Sequence, residues 1–160
     1  MASVAMIERE LQGLSDDCEA GTFVPHGEEH FRAEAFSRVR AIVEPPFQVI
    51  PESRYRPDDS TRCDLLVCKG PLPFASDLRK ALLRAAVEFT CWGGRESPTK
   101  LVDKVAADVE RLAEGTRASK RFALVHIARR APFRNHEDVV QKLKRLSRNG
   151  VVVLVSSRPG

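Results

Sequence analysis

A chain of 160 residues that is 42% hydrophobic carries enough apolar side chains for one globular core. No run approaches the roughly 20 apolar residues of a membrane-spanning helix, and Glu8 and Glu10 fall where a secretory leader would be apolar, so the expectation is a soluble, cytoplasmic protein with no membrane partner. With 26 basic against 22 acidic residues the formal charge is +4, a mixed surface that admits a polyanionic partner and excludes a basic tail.

In chain order, residues 1–27 mix acids, Gly and Pro around a short helical pattern over Val4–Leu14 and read as a loosely attached N-terminal extension, with a single domain over 28–160. From Glu28 to Val43, the residues Arg32, Ala35, Phe36, Val39, Ile42 and Val43 share one side of a helical wheel until Pro45 and Pro46 stop the helix. Phe47–Tyr55 reads as a strand despite Pro51, and the turn-forming stretch Arg56–Ser60 leads into a second strand around Asp64, making a hairpin. Gly70, Pro71 and Pro73 mark 69–80 as a connecting loop. Ala85–Trp92 is a third strand closed by Gly93 and Gly94. Ser97 and Pro98 suit the cap and first position of a helix in which Leu101, Val105, Val109 and Leu112 recur until Gly115. Phe122–Ala128 reads as a strand, Asn135–Ser147 as a basic amphipathic helix, Asn149-Gly150 as a turn and Val151–Val155 as a fully apolar strand. The fold class is α/β, a mixed central sheet flanked by helices in the order α-β-β-β-α-β-α-β.

Two of these strands carry one acid each at a buried-looking position, Asp64 in TRCDLLVC and Glu88 in AAVEFTCW. An ionised carboxylate in an apolar strand is costly, and two brought together also repel. A divalent cation removes both costs, and hard cations such as Mg²⁺ or Mn²⁺ take one or two carboxylates plus water and substrate phosphate. The alternative is structural ion pairing, of Asp64 with Arg62 or Arg54 and of Glu88 with Arg84 or Lys100. Glu28 projects toward the apolar side of its helix, which fits a place near a metal and equally a favourable interaction with the helix dipole. His26, His30, His126 and His136 are too scattered to form a competing centre, although His30 can approach Glu28. Cys18, Cys63, Cys68 and Cys91 lack metal-ligand spacing and read as reduced, packed thiols.

Within this order of elements, Asp64 in RCDLLVC and Glu88 in VEFT resemble the acids of the PD-(D/E)XK, or restriction-endonuclease-like, nuclease superfamily, over roughly Glu28–Val155. The resemblance implies a divalent-metal-dependent nuclease acting on DNA more readily than RNA, with Asp64, Glu88 and Glu28 at the metal, as a homodimer or part of a larger complex. The chain departs from the motif at Thr90, where the family has lysine. Some relatives supply that lysine from the following helix, and KVAADVERL resembles the stretch concerned, which makes Lys104 the replacement and Lys100 the second candidate. The same departure is what a catalytically silent binding module would display. Arg129, Arg130, Arg134, Lys142, Lys144 and Arg145, with Arg148, form either a nucleic-acid-binding face or a solvated helix surface.

Overall fold

The computed structural model describes residues 3–54, 62–70, 82–115, 117–128 and 136–158. Helix α1, Val4–Ala20, begins at Ser3, whose hydroxyl accepts the Met6 N–H at 3.3 Å, and ends at Gly21 with φ of 78°. Ile7, Leu11, Leu14 and Cys18 recur at three- and four-residue spacing and are all buried. This corrects the expectation of a loose extension over 1–27. Its acids lie elsewhere on the helix, where Glu8 meets Lys120 at 3.0 Å and Asp17 meets Arg38 at 2.7 Å. Two helices therefore precede the first strand, where the sequence predicted one.

Helix α2, Glu28–Ile42, turns Phe31, Ala35 and Val39 inward. Strands β1, Phe47–Arg54, and β2, Arg62–Lys69, pair antiparallel, and β2 pairs antiparallel with β3, Leu83–Trp92. Helix α3, Pro98–Gly115, then leads to β4, Lys120–Ile127, and helix α4, His136–Lys144, to β5, Val151–Ser157. Pairs β3/β4 and β4/β5 are parallel, and the sheet order is β1-β2-β3-β4-β5. The predicted turn at 56–60 and the loop over 71–80 lie outside the described residues.

The sheet is buried on both faces. Alternate residues Ala85, Val87 and Phe89 of β3, with Phe122, Leu124 and Leu154, pack beneath α1 and α2. Ala86, Ala123, Val125, Val153 and Val155 pack on the opposite face against Leu101, Val105, Val109 and Leu112 of α3 and Val139, Val140 and Leu143 of α4. The four cysteines are free, three of them buried. Among the described residues no helix is long and apolar enough to cross a membrane.

Candidate functional site

The acids meet where the β2–β3 ladder ends. Its last pair is Leu65 with Val87, so extending the register by one residue sets Asp64 against Glu88. One step further along β3, the Phe89 N–H donates to Asp64 Oδ2 at 2.8 Å, so a side chain takes the place of a strand carbonyl. Asp64 Oδ1 accepts from Arg32 of α2 at 3.2 Å. Glu88 is 5% exposed, and its strand neighbour but one, Thr90, donates its hydroxyl to Asp108 Oδ2 at 3.3 Å. Asp108 is itself 5% exposed and hydrogen-bonded by Arg111, one turn along α3. Three buried or half-buried acids from β2, β3 and α3 thus share one region, with cations reaching in from α2 and α3.

The electrostatics follow from that crowding. Burial first, then the neighbouring Asp64 charge and its hydrogen bond, then Asp108, push the Glu88 carboxyl up to about 9, against the pull of Arg111. Burial also raises Asp108, opposed by Arg111, by Lys104 and by the Thr90 hydroxyl. Lys104 Nζ lies 3.3 Å from Glu28 Oε2, which ties α3 to the first turn of α2. Both residues also bear on Cys91, whose thiol is raised by burial and then by Glu28, while Lys104 acts in the opposite direction.

Of the residues singled out from sequence, Asp64 and Glu88 come together, and Lys104 and Glu28 form a neighbouring pair on the α3 side. Lys100 is exposed in the first turn of α3, where its N–H takes the Ser97 hydroxyl at 3.3 Å as cap. Asp64 pairs with Arg32, and Arg84 lies over the Phe47 ring at 4.9 Å, while the side chains of Arg54 and Arg62, the partners expected for Asp64, lie outside the described residues. Arg129, Arg130 and Arg134 lie outside the described residues. Lys142, Lys144 and Arg145 are exposed while Val139, Val140 and Leu143 of the same segment are buried, an ordinary amphipathic arrangement. His26 stacks on His30 and His136 bonds Ser157, whereas His126 is buried against Phe31 with Nδ1 2.9 Å from Ser156 Oγ.

Arg32, Asp108 and Arg111 were not singled out as site residues. A signal for Asp108 was present, because it falls within the apolar stripe of Leu101, Val105 and Leu112, where an acid needs a partner. Arg32 carried a similar signal, a charge on the apolar side of its helical wheel, but its partner, 32 residues away on another element, was not legible from it. Compared with protein-family models, with curated proteins and with solved structures, the chain matches none.

Proposed function

We propose that Asp64 and Glu88 are the protein ligands of a Mg²⁺ or Mn²⁺ ion in a phosphodiester hydrolase acting on nucleic acid, DNA in preference to RNA, on a restriction-endonuclease-like fold. The observation that carries the reading is the juxtaposition of two carboxyl groups on adjacent strands at the end of a ladder, one of them 5% exposed. The donor set fits a hard cation. Two carboxylates would leave the remaining positions to water and a substrate phosphate, the usual habit of Mg²⁺; among the described residues no three of Asp, Glu, His and Cys converge to hold an ion.

Bound there, the ion supplies charge neutralisation at the phosphate and acidifies a water. The chain's own residues supply the rest. Glu88, deprotonated, and Asp64, anchored by the Phe89 N–H, would hold the ion, which would compete with Arg32 for Asp64 Oδ1. Asp108, held by Thr90 and Arg111, adds negative potential that draws the cation in. Lys104 is the water-orienting cation in place of Thr90, with Glu28 setting its position.

A silent binding module of the same architecture is the second reading, and the Arg32–Asp64 pair is the observation that favours it, because it already balances Asp64. Thermal melting with and without Mn²⁺, beside cleavage of labelled DNA and RNA, separates the two. The nuclease reading expects Mn²⁺ to raise the wild-type midpoint by mass action and to leave Asp64→Asn and Glu88→Gln unmoved, with cleavage lost in both variants. A wild-type midpoint indifferent to Mg²⁺ and Mn²⁺, with Asp64→Asn destabilised regardless of metal, leaves the module.

A further inference from the structure

A cleft of about 330 Å³ opens beside Asp64 between α2 and the hairpin. Helix α2 contributes Glu29, Arg32 and Phe36 to its walls, β1 contributes Pro51, and β2 contributes Asp64 and Leu65. The three α2 residues stand three and four apart, which puts them on one flank of the helix. The cleft has two chemical characters: Arg32 and Asp64 are charged and 3.2 Å apart, whereas Phe36, Pro51 and Leu65 are apolar. Its volume is at the lower end of the range for small-molecule sites.

A nucleotide is divided in the same way, with an anionic phosphate and a flat, largely apolar base face. We infer that this cleft is a nucleotide subsite, in which the base of an unpaired nucleotide lies against Phe36 and Pro51 and its phosphate meets Arg32, beside the phosphodiester to be cut. The inference rests on the nuclease reading of Asp64 and Glu88. It adds a substrate class, because a base that is paired and stacked within a duplex cannot enter a cleft of this kind, whereas a single strand or frayed end can. Stacking on an aromatic ring is sequence-tolerant, since every base has a face to offer. Arg32 suits the phosphate because a guanidinium presents a planar fork of donors to an oxyanion. In the free protein Arg32 Nη1 donates to Asp64 Oδ1 at 3.2 Å, a bond for which a cation on Asp64 and a substrate phosphate would compete. Glu29, exposed at the same cleft, is an acceptor for an exocyclic amino group.

The test uses the full chain and fluorescein-labelled oligothymidylate, oligouridylate and an oligothymidylate–oligoadenylate duplex, with binding followed by anisotropy in Ca²⁺ and cleavage in Mn²⁺. The single strands should bind at least about tenfold more tightly than the duplex, and the two single strands report which sugar is preferred. Phe36→Leu keeps the apolar packing and removes the ring. It should weaken single-strand binding about tenfold while the Mn²⁺-induced melting shift stays at the wild-type value. Arg32→Gln should weaken binding, lower the slope of log affinity against log salt by about one, and preserve or enlarge the Mn²⁺ shift because a competing cation is gone. Arg32→Lys keeps the charge without the fork and should recover the salt slope with only part of the affinity. Equal binding of duplex and single strand, or full single-strand affinity in Phe36→Leu, overturns the subsite even where wild type binds Mn²⁺ and cleaves. A wild-type protein with neither a Mn²⁺ shift nor cleavage removes the subsite and the nuclease reading together.

Discussion

Lys104 and Glu28 meet at 3.3 Å with side chains 48% and 34% exposed, so solvent screens their attraction and the pair contributes less than about 1 kcal/mol to folding. That makes Lys104 a clean probe of chemistry. Lys104→Ala should leave the urea midpoint close to wild type and lower the cleavage rate at least about hundredfold, a typical loss for an oriented group at a reacting centre. Lys100→Ala should change neither quantity, because Lys100 is an exposed residue whose known bond is made by its backbone N–H. Wild-type cleavage by Lys104→Ala ends the idea that α3 supplies the missing cation, and loss of cleavage in Lys100→Ala alone moves the role to that residue. The pairing of Asp64 with Glu88 was legible at this scale because each is an acid in an otherwise apolar strand. The cations facing them were less so: Arg111 sits on a helix where a basic residue is unremarkable, and Arg32, although on the apolar side of its wheel, gives no sign of which acid it meets.

Helix α1 covers the β4–β5 side of the sheet face that it shares with α2. Ile7, Leu11 and Leu14 are at most 1% exposed and share a cluster with Phe31, Phe89, Phe122 and Leu154. Leu11→Ala should therefore cost about 2–5 kcal/mol by urea denaturation, as buried leucine truncations do. A chain lacking residues 1–21 should expose that face and fail to give a cooperative transition. An undiminished midpoint in Leu11→Ala would restore the reading of an appended segment. A helical pattern over Val4–Leu14 was legible in the sequence but its burial was not, because Glu8, Glu10, Asp16, Asp17 and Glu19 surround a narrow stripe of Ile7, Leu11, Leu14 and Cys18. Helix α3 was plain by contrast, with a Ser97 cap, Pro98 at its first position and a five-residue buried stripe. Strand ends were less readable: β3 begins at Leu83 and β4 at Lys120, each two residues ahead of the expected start. Local composition carries no signal for where a ladder begins, because that depends on the partner strand.

For the molecule as a whole, the α/β class and a mixed sheet between helices followed from period-two and helical spacing, which report burial directly. Proton linkage did not, because it depends on which buried groups meet. Glu88 titrates near 9 in the native protein against 4.5 ordinarily, so between those values the folded state keeps a proton that the unfolded chain has released. Stability contributed by that group therefore falls as pH rises through the window. His126 acts in the opposite sense: burial lowers it from 6.5 to about 4, so the unfolded chain gains a proton first and stability is lost as pH falls through that interval. The Glu88 and His126 slopes oppose each other from about pH 4.5 to about 6.5, Asp108, also raised by burial, acts in the Glu88 sense, and above that interval His126 no longer opposes Glu88. Without divalent ion, the urea midpoint should decline from about pH 7 to about 9, and Glu88→Gln, which is neutral at every pH, should abolish the decline. Saturating Mg²⁺ should also abolish it, because the ion takes the place of the Glu88 proton. For the same reason apparent Mg²⁺ affinity should rise with pH by up to about tenfold per unit below that value. His126→Asn should leave the alkaline decline untouched and uncover the Glu88 slope in the acidic interval. A wild-type midpoint that stays level from about pH 7 to about 9 without metal, and that Glu88→Gln does not alter, would mean that Glu88 is ionised without a cation and that the two acids do not share a proton or an ion.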